Sequence, residues 1–166
     1  MIVYIQYMRN KKQIRGFTLI ELLVVIGILA ILLAIVLIAI NPARQFAQAR
    51  NTTRESDVKE IVNAVYAYAA DNTGNLPAGI DATVKTIASG GAVGTIDLCP
   101  LLVPRYIADI AIDPTTGTEA PPNSICTAAL ATYNSTYTIV RSSATDNRIT
   151  ITAPNAELSK VITLTR

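Results

Sequence analysis

The chain has 166 residues, of which 51% are hydrophobic and 16% charged, with a formal net charge of +2 and no histidine. Lacking histidine, it is without the commonest general base and the commonest metal ligand, and no serine or cysteine stands beside an obvious activating partner, so neither an enzyme nor a bound cofactor is expected. A charge this small gives no long-range attraction for nucleic acid.

Residues 1–16 form a basic leader carrying Arg9, Lys11, Lys12 and Arg15, which the positive-inside tendency keeps on the cytoplasmic face. Met8 opens a compact leader from Met8 to Gly16, and it is the expected start, with residues 1–7 an extension. Residues 17–40 follow, a nearly pure apolar run whose one carboxylate is Glu21. As a helix it would be roughly 36 Å long at 1.5 Å per residue, enough to cross a hydrocarbon core of about 30 Å. Gly16 separates the charged stretch from Phe17, which makes that junction a candidate cleavage point. Glu21, alone near the start of a span, is unfavourable unless it finds a partner or a wet face, so an ionisable group there suggests a task. A secretory signal peptide would instead be cut after the apolar run; no small-x-small site directly follows Ile40, although Ala39, Ala43 and Ala47 keep that reading open.

The stretch Arg15-Gly16-Phe17-Thr18-Leu19-Ile20-Glu21-Leu22-Leu23-Val24-Val25-Ile26 closely resembles the prepilin cleavage and methylation motif of type IV pilins and of type II secretion pseudopilins. The resemblance extends along the helical segment to about Asn72 and is loose beyond it. It implies that Gly16 precedes the scissile bond, that Phe17 becomes the N-methylated first residue, and that Glu21, with Thr18 beside it, serves assembly by neutralising the amino terminus of a neighbouring subunit. A new ammonium and a buried carboxylate are each unfavourable alone and much less so together. Removing the four leader cations leaves ten basic and twelve acidic side chains. The partners implied are copies of the chain in a helical homopolymer, a prepilin peptidase and methylase, an assembly ATPase, a platform membrane protein, and membrane lipid before assembly.

Within the span, Gly27 would let a neighbouring helix come close. Asn41-Pro42 then interrupts the helix, since proline lacks an N–H and disfavours helical geometry in the residue before it. Residues 41–72 are expected as an amphipathic continuation: Val58, Ile61, Val62, Val65, Tyr66 and Ala69 recur at three and four residues. The charges Arg44, Arg50, Arg54, Glu55, Asp57, Lys59 and Glu60 read as a solvated face, with pairing between staggered subunits as the alternative. Asp71 to Pro77 is dense in turn formers and closes the helix.

Residues 73–166 are expected as a globular head. Ala82 to Ser89 reads as a short helix stopped by Gly90-Gly91. Gly90, Gly91 and Gly94 do not make a phosphate loop, because no Lys-Ser or Lys-Thr follows. Asp113-Pro114 is turn chemistry; Asp109, Asp113 and Glu119 offer oxygens for calcium, as in the pseudopilin branch, but without EF-hand spacing no metal site is assigned. Cys99 and Cys126, the only cysteines, are expected to pair, with two reduced thiols as the alternative. Asn51-Thr52-Thr53 and Asn134-Ser135-Thr136 fit the glycan acceptor pattern, a short match that arises by chance. Tyr133–Arg141, Asn147–Ala153 and Lys160–Thr165 read as three antiparallel strands in meander order, with Tyr137, Ile139, Ile149 and Ile151 facing the helical stripe.

The expected fold is therefore α+β and pilin-like: a long N-terminal helix, half membrane-spanning and half amphipathic, packed on a small antiparallel sheet of three to four strands. The expected function is a pilin that is cleaved, methylated and polymerised into a surface filament for adhesion, motility or uptake. The rivals are a major pseudopilin of a type II secretion system and a DNA-capture competence pilin. Bound calcium without a disulfide favours the pseudopilin, a Cys99–Cys126 bridge the pilin, and a salt-sensitive gel shift the DNA-capture pilin.

Overall fold

The computed structural model describes residues 16–120, 126, 132–143 and 146–166. The expected leader, apart from Gly16, and with it the alternative start at Met8, lies outside the described residues. The chain divides into two compact units, Met1–Pro42 and Ala43–Arg166.

The first unit holds helix α1, Leu19–Ala39. Its leucine, isoleucine, valine and alanine, interrupted only by Glu21 and Gly27, leave no polar face, and no residue of it is buried. Among the described residues it is the one helix long and apolar enough to cross a membrane. It closes at Ile40, whose N–H reaches Val36 O at 3.1 Å. Asn41 then adopts a left-handed backbone, φ +40°, a conformation asparagine tolerates better than most residues. Pro42 opens α2, where its missing N–H leaves nothing unsatisfied.

In the second unit, α2 spans Pro42–Asp71 and buries Ala47, Asn51, Arg54, Val58, Ile61, Val62, Ala64, Val65 and Ala69. Gly74, at φ +86°, ends it by turning its N–H back onto Ala69 O at 2.8 Å. The strands are β1 Lys85–Ala88, β2 Thr95–Ile96, β3 Thr118–Ala120, β4 Thr132–Arg141, β5 Ile149–Ala153 and β6 Ile162–Thr165, with a short helix α3 at Cys99–Leu102. They form one sheet in the order β2-β1-β4-β5-β6, and β3 also pairs with β4. The β4-β5-β6 meander is antiparallel, with Ile139 opposite Ile151 and Ile151 opposite Leu164.

Two expectations need correction. Among the described residues the sheet has six strands rather than three or four, and β1 with β2 is a parallel pair. Ala82 to Ser89 is not a short helix: an Asp81 turn, with Thr83 N donating to Asp81 Oδ1 at 2.9 Å, leads into β1. Two things extend this stretch: the β-branched Val84, Thr86 and Ile87, and pairing with β4, which supplies backbone partners a lone helical turn would lack. Gly90 and Gly91, both at positive φ, turn the chain out of it.

Between β1 and β4 the register slips: Thr86 faces Thr138 while Ala88 faces Asn134, so β4 bulges by two residues around Thr136, φ +62°. The inner sheet face meets α2, and Val58, Ile61, Val62 and Val65 share a core with Tyr137, Ile139, Ile149 and Ile151. Each fully buried side chain of this size contributes about 1.5–3 kcal/mol. The outer face is of another kind: Thr95, Thr86, Thr138, Thr152 and Thr163 stand in register across five strands.

Candidate functional site

At the start of α1, Thr18 is the N-cap. Its hydroxyl accepts from Glu21 N at 3.3 Å, and the Glu21 carboxylate returns to accept from Thr18 N and from the Thr18 hydroxyl, both at 2.8 Å on Oε2. This reciprocal capping box satisfies two of the N–H groups every helix start leaves orphaned, and it places an anion at the positive end of the helix dipole. Glu21 thus sits one turn into an apolar rod, held beside the Gly16-Phe17 junction. Phe17 is 81% exposed, and a Cβ placed on Gly16 would meet nothing within 4 Å, so the peptide bond between them is open to an enzyme. Phe17, Ile20, Val24 and Val25 make an apolar surface around the carboxylate. Gly27 is similarly open.

The head contains a second polar centre that sequence reasoning took for a solvated face. Arg54 is fully buried, and its Nε and Nη2 reach Asp113 Oδ2 and Oδ1 at 2.6 and 3.2 Å. Its Nη1 donates to Glu157 Oε2 and to Asn51 Oδ1, both at 3.0 Å, and Nη2 donates to the Thr115 hydroxyl at 2.8 Å. Arg50 grips the same Glu157 in a two-pronged pair at 2.6 and 2.7 Å. Among the described residues no buried side-chain polar atom lacks a partner. Burial opposes the charge on Asp113, but hydrogen bonds from Arg54, Thr115 and Thr116 outweigh it and hold the carboxyl well below the usual range. Hydrogen bonds from Arg50 and then Arg54 bring Glu157 down to about 2. Nearby, Tyr137 donates to Asp57 at 2.6 Å, and burial raises both groups. The missed signal was present in the spacing: Ala47, Asn51, Arg54 and Val58 carry the apolar stripe backward at four, three and four residues, so Arg54 belongs to the inward face.

The carboxylates weighed for calcium are placed as follows. Asp113 already has a cation, the Arg54 guanidinium, while Asp109 Oδ1 accepts from Ile110 N at 2.9 Å and Glu119 lies in β3. No group of three or more acidic, cysteine or histidine side chains that could hold a metal ion is found among the described residues. The Asp113 turn is tight: a Cβ on Gly117 would come within 2.0 Å of Ile112 Cγ2. Of the two glycan sequons, Asn51 is 2% exposed and bonded through both side-chain atoms to the Glu157 backbone, so its amide is unreachable in the folded head, whereas Asn134 is exposed on β4. Cys99, opening α3, is joined to Cys126 with Cα atoms 5.3 Å apart. Closing a loop of 27 residues stabilises by about 3–4 kcal/mol in the chain-entropy picture.

Residues 11–37 match the family model described as the prokaryotic N-terminal methylation motif. No curated protein and no solved structure matches the chain. The motif is that of a structural rather than a catalytic family, and it implies processing by a prepilin peptidase followed by assembly. With the capped, unburied apolar helix behind it, it fits a single-pass membrane-anchored precursor. The chain thus carries, at residues 11–37, the signature of type IV pilins and pseudopilins.

Proposed function

We propose that this chain is a type IV pilin precursor, cut between Gly16 and Phe17, methylated on the Phe17 amine, and polymerised into a filament whose inner bundle is made of the 17–40 helices. The observation that carries this reading is a single carboxylate, capped one turn inside an apolar helix of which no residue is buried. Such a surface leaves lipid only for an equally apolar one, and other copies of the same helix are the nearest match in chemistry and length. Cleavage creates an ammonium close to the bilayer core; pairing with the Glu21 of another copy removes two unfavourable charges at once and fixes the stagger. Thr18 holds the carboxylate until that amine arrives. A prepilin peptidase and methylase, an assembly ATPase and a platform membrane protein complete the apparatus, and the finished filament lies outside the cell membrane.

The Cys99–Cys126 bridge and the engagement of Asp113 by Arg54 support the pilin over the calcium-binding pseudopilin. Mass spectrometry of membrane-extracted protein tests the processing: a chain beginning at Phe17 and one methyl heavier than its sequence is expected, and a population retaining residues 1–16 would refute it.

A further inference from the structure

We propose that the open edge of β6 receives an extended segment of another protein as one further strand of the sheet, a segment with apolar residues at alternate positions and an acidic one among them. The proposal goes beyond the filament reading and does not depend on it, since the edge belongs to a single head.

Strand β6 ends the order β2-β1-β4-β5-β6, and among the described residues no strand pairs with its far side. Ile149 and Arg166 exchange both backbone hydrogen bonds, at 2.9 and 3.0 Å. In an antiparallel ladder such pairs alternate with unbonded ones, so Leu164 opposite Ile151 and Ile162 opposite Ala153 are the residues of β6 that bond to β5. The N–H and C=O groups of Thr163 and Thr165 therefore point away from β5, along the open edge. Such edges are ordinarily blunted by proline, charge or a bulge. Residues 161–165, Val-Ile-Thr-Leu-Thr, carry no proline and no charge, and the β5–β6 register is unbroken.

Beside this edge runs a groove of about 280 Å³, lined by Glu55, Val58 and Lys59 of α2 and by residues 161–164. It is smaller than the roughly 300–1,000 Å³ of small-molecule sites, so it suits single side chains rather than a whole ligand. An added strand supplies them at alternate positions while its main chain bonds to the edge. A lipid tail laid there would strip water from the Thr163 and Thr165 backbone groups and return no hydrogen bond. The charge of the partner follows from the rim. Lys160 bonds to Glu55 at 2.5 Å, and Lys59 acts on the same carboxylate from farther off, so two cations share one anion. Glu60 acts on Asp57 instead, Arg166 is engaged by Tyr66 and Asn63, and Arg44, about three turns before Glu55, does not line the groove. An acidic residue in the segment balances the excess cation.

The test is binding of the peptide fluorescein-Thr-Val-Thr-Val-Thr-Glu-amide to the full chain in detergent micelles, read by fluorescence anisotropy. Two versions N-methylated on every second amide, in opposite phase, separate strand pairing from partition into the micelle. One phase is expected to bind and the other not, because only one set of amides faces the edge; binding by both or by neither would overturn the proposal. Lys59→Glu should weaken the peptide about tenfold and turn the preference toward a peptide with lysine in place of glutamate. An unchanged preference would refute the acidic partner. Thr163→Pro removes a donor that β5 does not use, and is expected to abolish binding while the thermal midpoint of the head holds. If the midpoint falls, the N-methylated pair decides on the unaltered chain. Sedimentation showing that the chain instead pairs with itself at this edge would overturn the choice of partner.

Discussion

The two long helices, α1 and α2, are built on opposite principles. None of the residues of α1 is buried, whereas α2 buries nine, among them Arg54. What stabilises α2 is inside the chain: a sheet face whose residues lie up to a hundred positions away. What would stabilise α1 is not found among the described residues, which is the physical mark of a segment suited to lipid. Even their charges differ in the same sense. Glu21 is satisfied within its own first turn by Thr18, while Arg54 is satisfied by Asp113, 59 residues distant.

The contrast is sharpest if a change in α1 leaves folding intact and a change in α2 does not. Glu21→Val is expected to be inserted and processed normally, with an unaltered thermal midpoint, yet to be absent from filaments; normal fibres seen by electron microscopy would contradict the role given to Glu21. Arg54→Met should destabilise the Ala43–Arg166 unit by about 3–5 kcal/mol, because it strands a buried Asp113 carboxylate. Urea denaturation of the detergent-solubilised chain, followed by near-ultraviolet circular dichroism, measures this, and combining the change with Asp113→Asn should recover part of the loss. Reduction of Cys99–Cys126 is expected to lower stability by about 3–4 kcal/mol, with no effect on cleavage at Gly16.

The smallest effect expected is that of acid. Asp113 and Glu157 have folded-state values below their ordinary ones, so the unfolded chain binds protons more readily than the folded one. The stability they contribute is complete above about pH 4.5 and drains as the pH falls through the unfolded values near 4 toward the folded ones. Glu157→Gln should flatten part of that slope in a series of denaturation curves; an unchanged slope would mean that Glu157 is not ionically engaged in solution.

How much could be read without coordinates follows from the same contrast. Everything about α1 is local: its length, its caps and the break at Asn41-Pro42 are set by residues within a few positions of one another. The meander was readable too, because β4, β5 and β6 alternate inward isoleucines with outward threonines. β1 was not, since Lys85 to Ala88 carries too few residues to show a period and is fixed as a strand by β4, which begins at Thr132. β2 and β3 are shorter still. Arg54 was misread because its inward position, legible in the spacing from Ala47 to Val58, conflicts with the rule that an arginine is solvated unless a remote carboxylate meets it, and nothing near it in the chain announces Asp113.

The five threonines aligned across β2, β1, β4, β5 and β6 carry a consequence for crowding. Each presents a small methyl rather than a large apolar side chain, and the Thr152 and Thr163 hydroxyls already pair with each other at 3.0 Å, so this face offers another copy little apolar area to bury. In the proposed filament, that reluctance would let neighbouring fibres slide past one another instead of fusing into bundles.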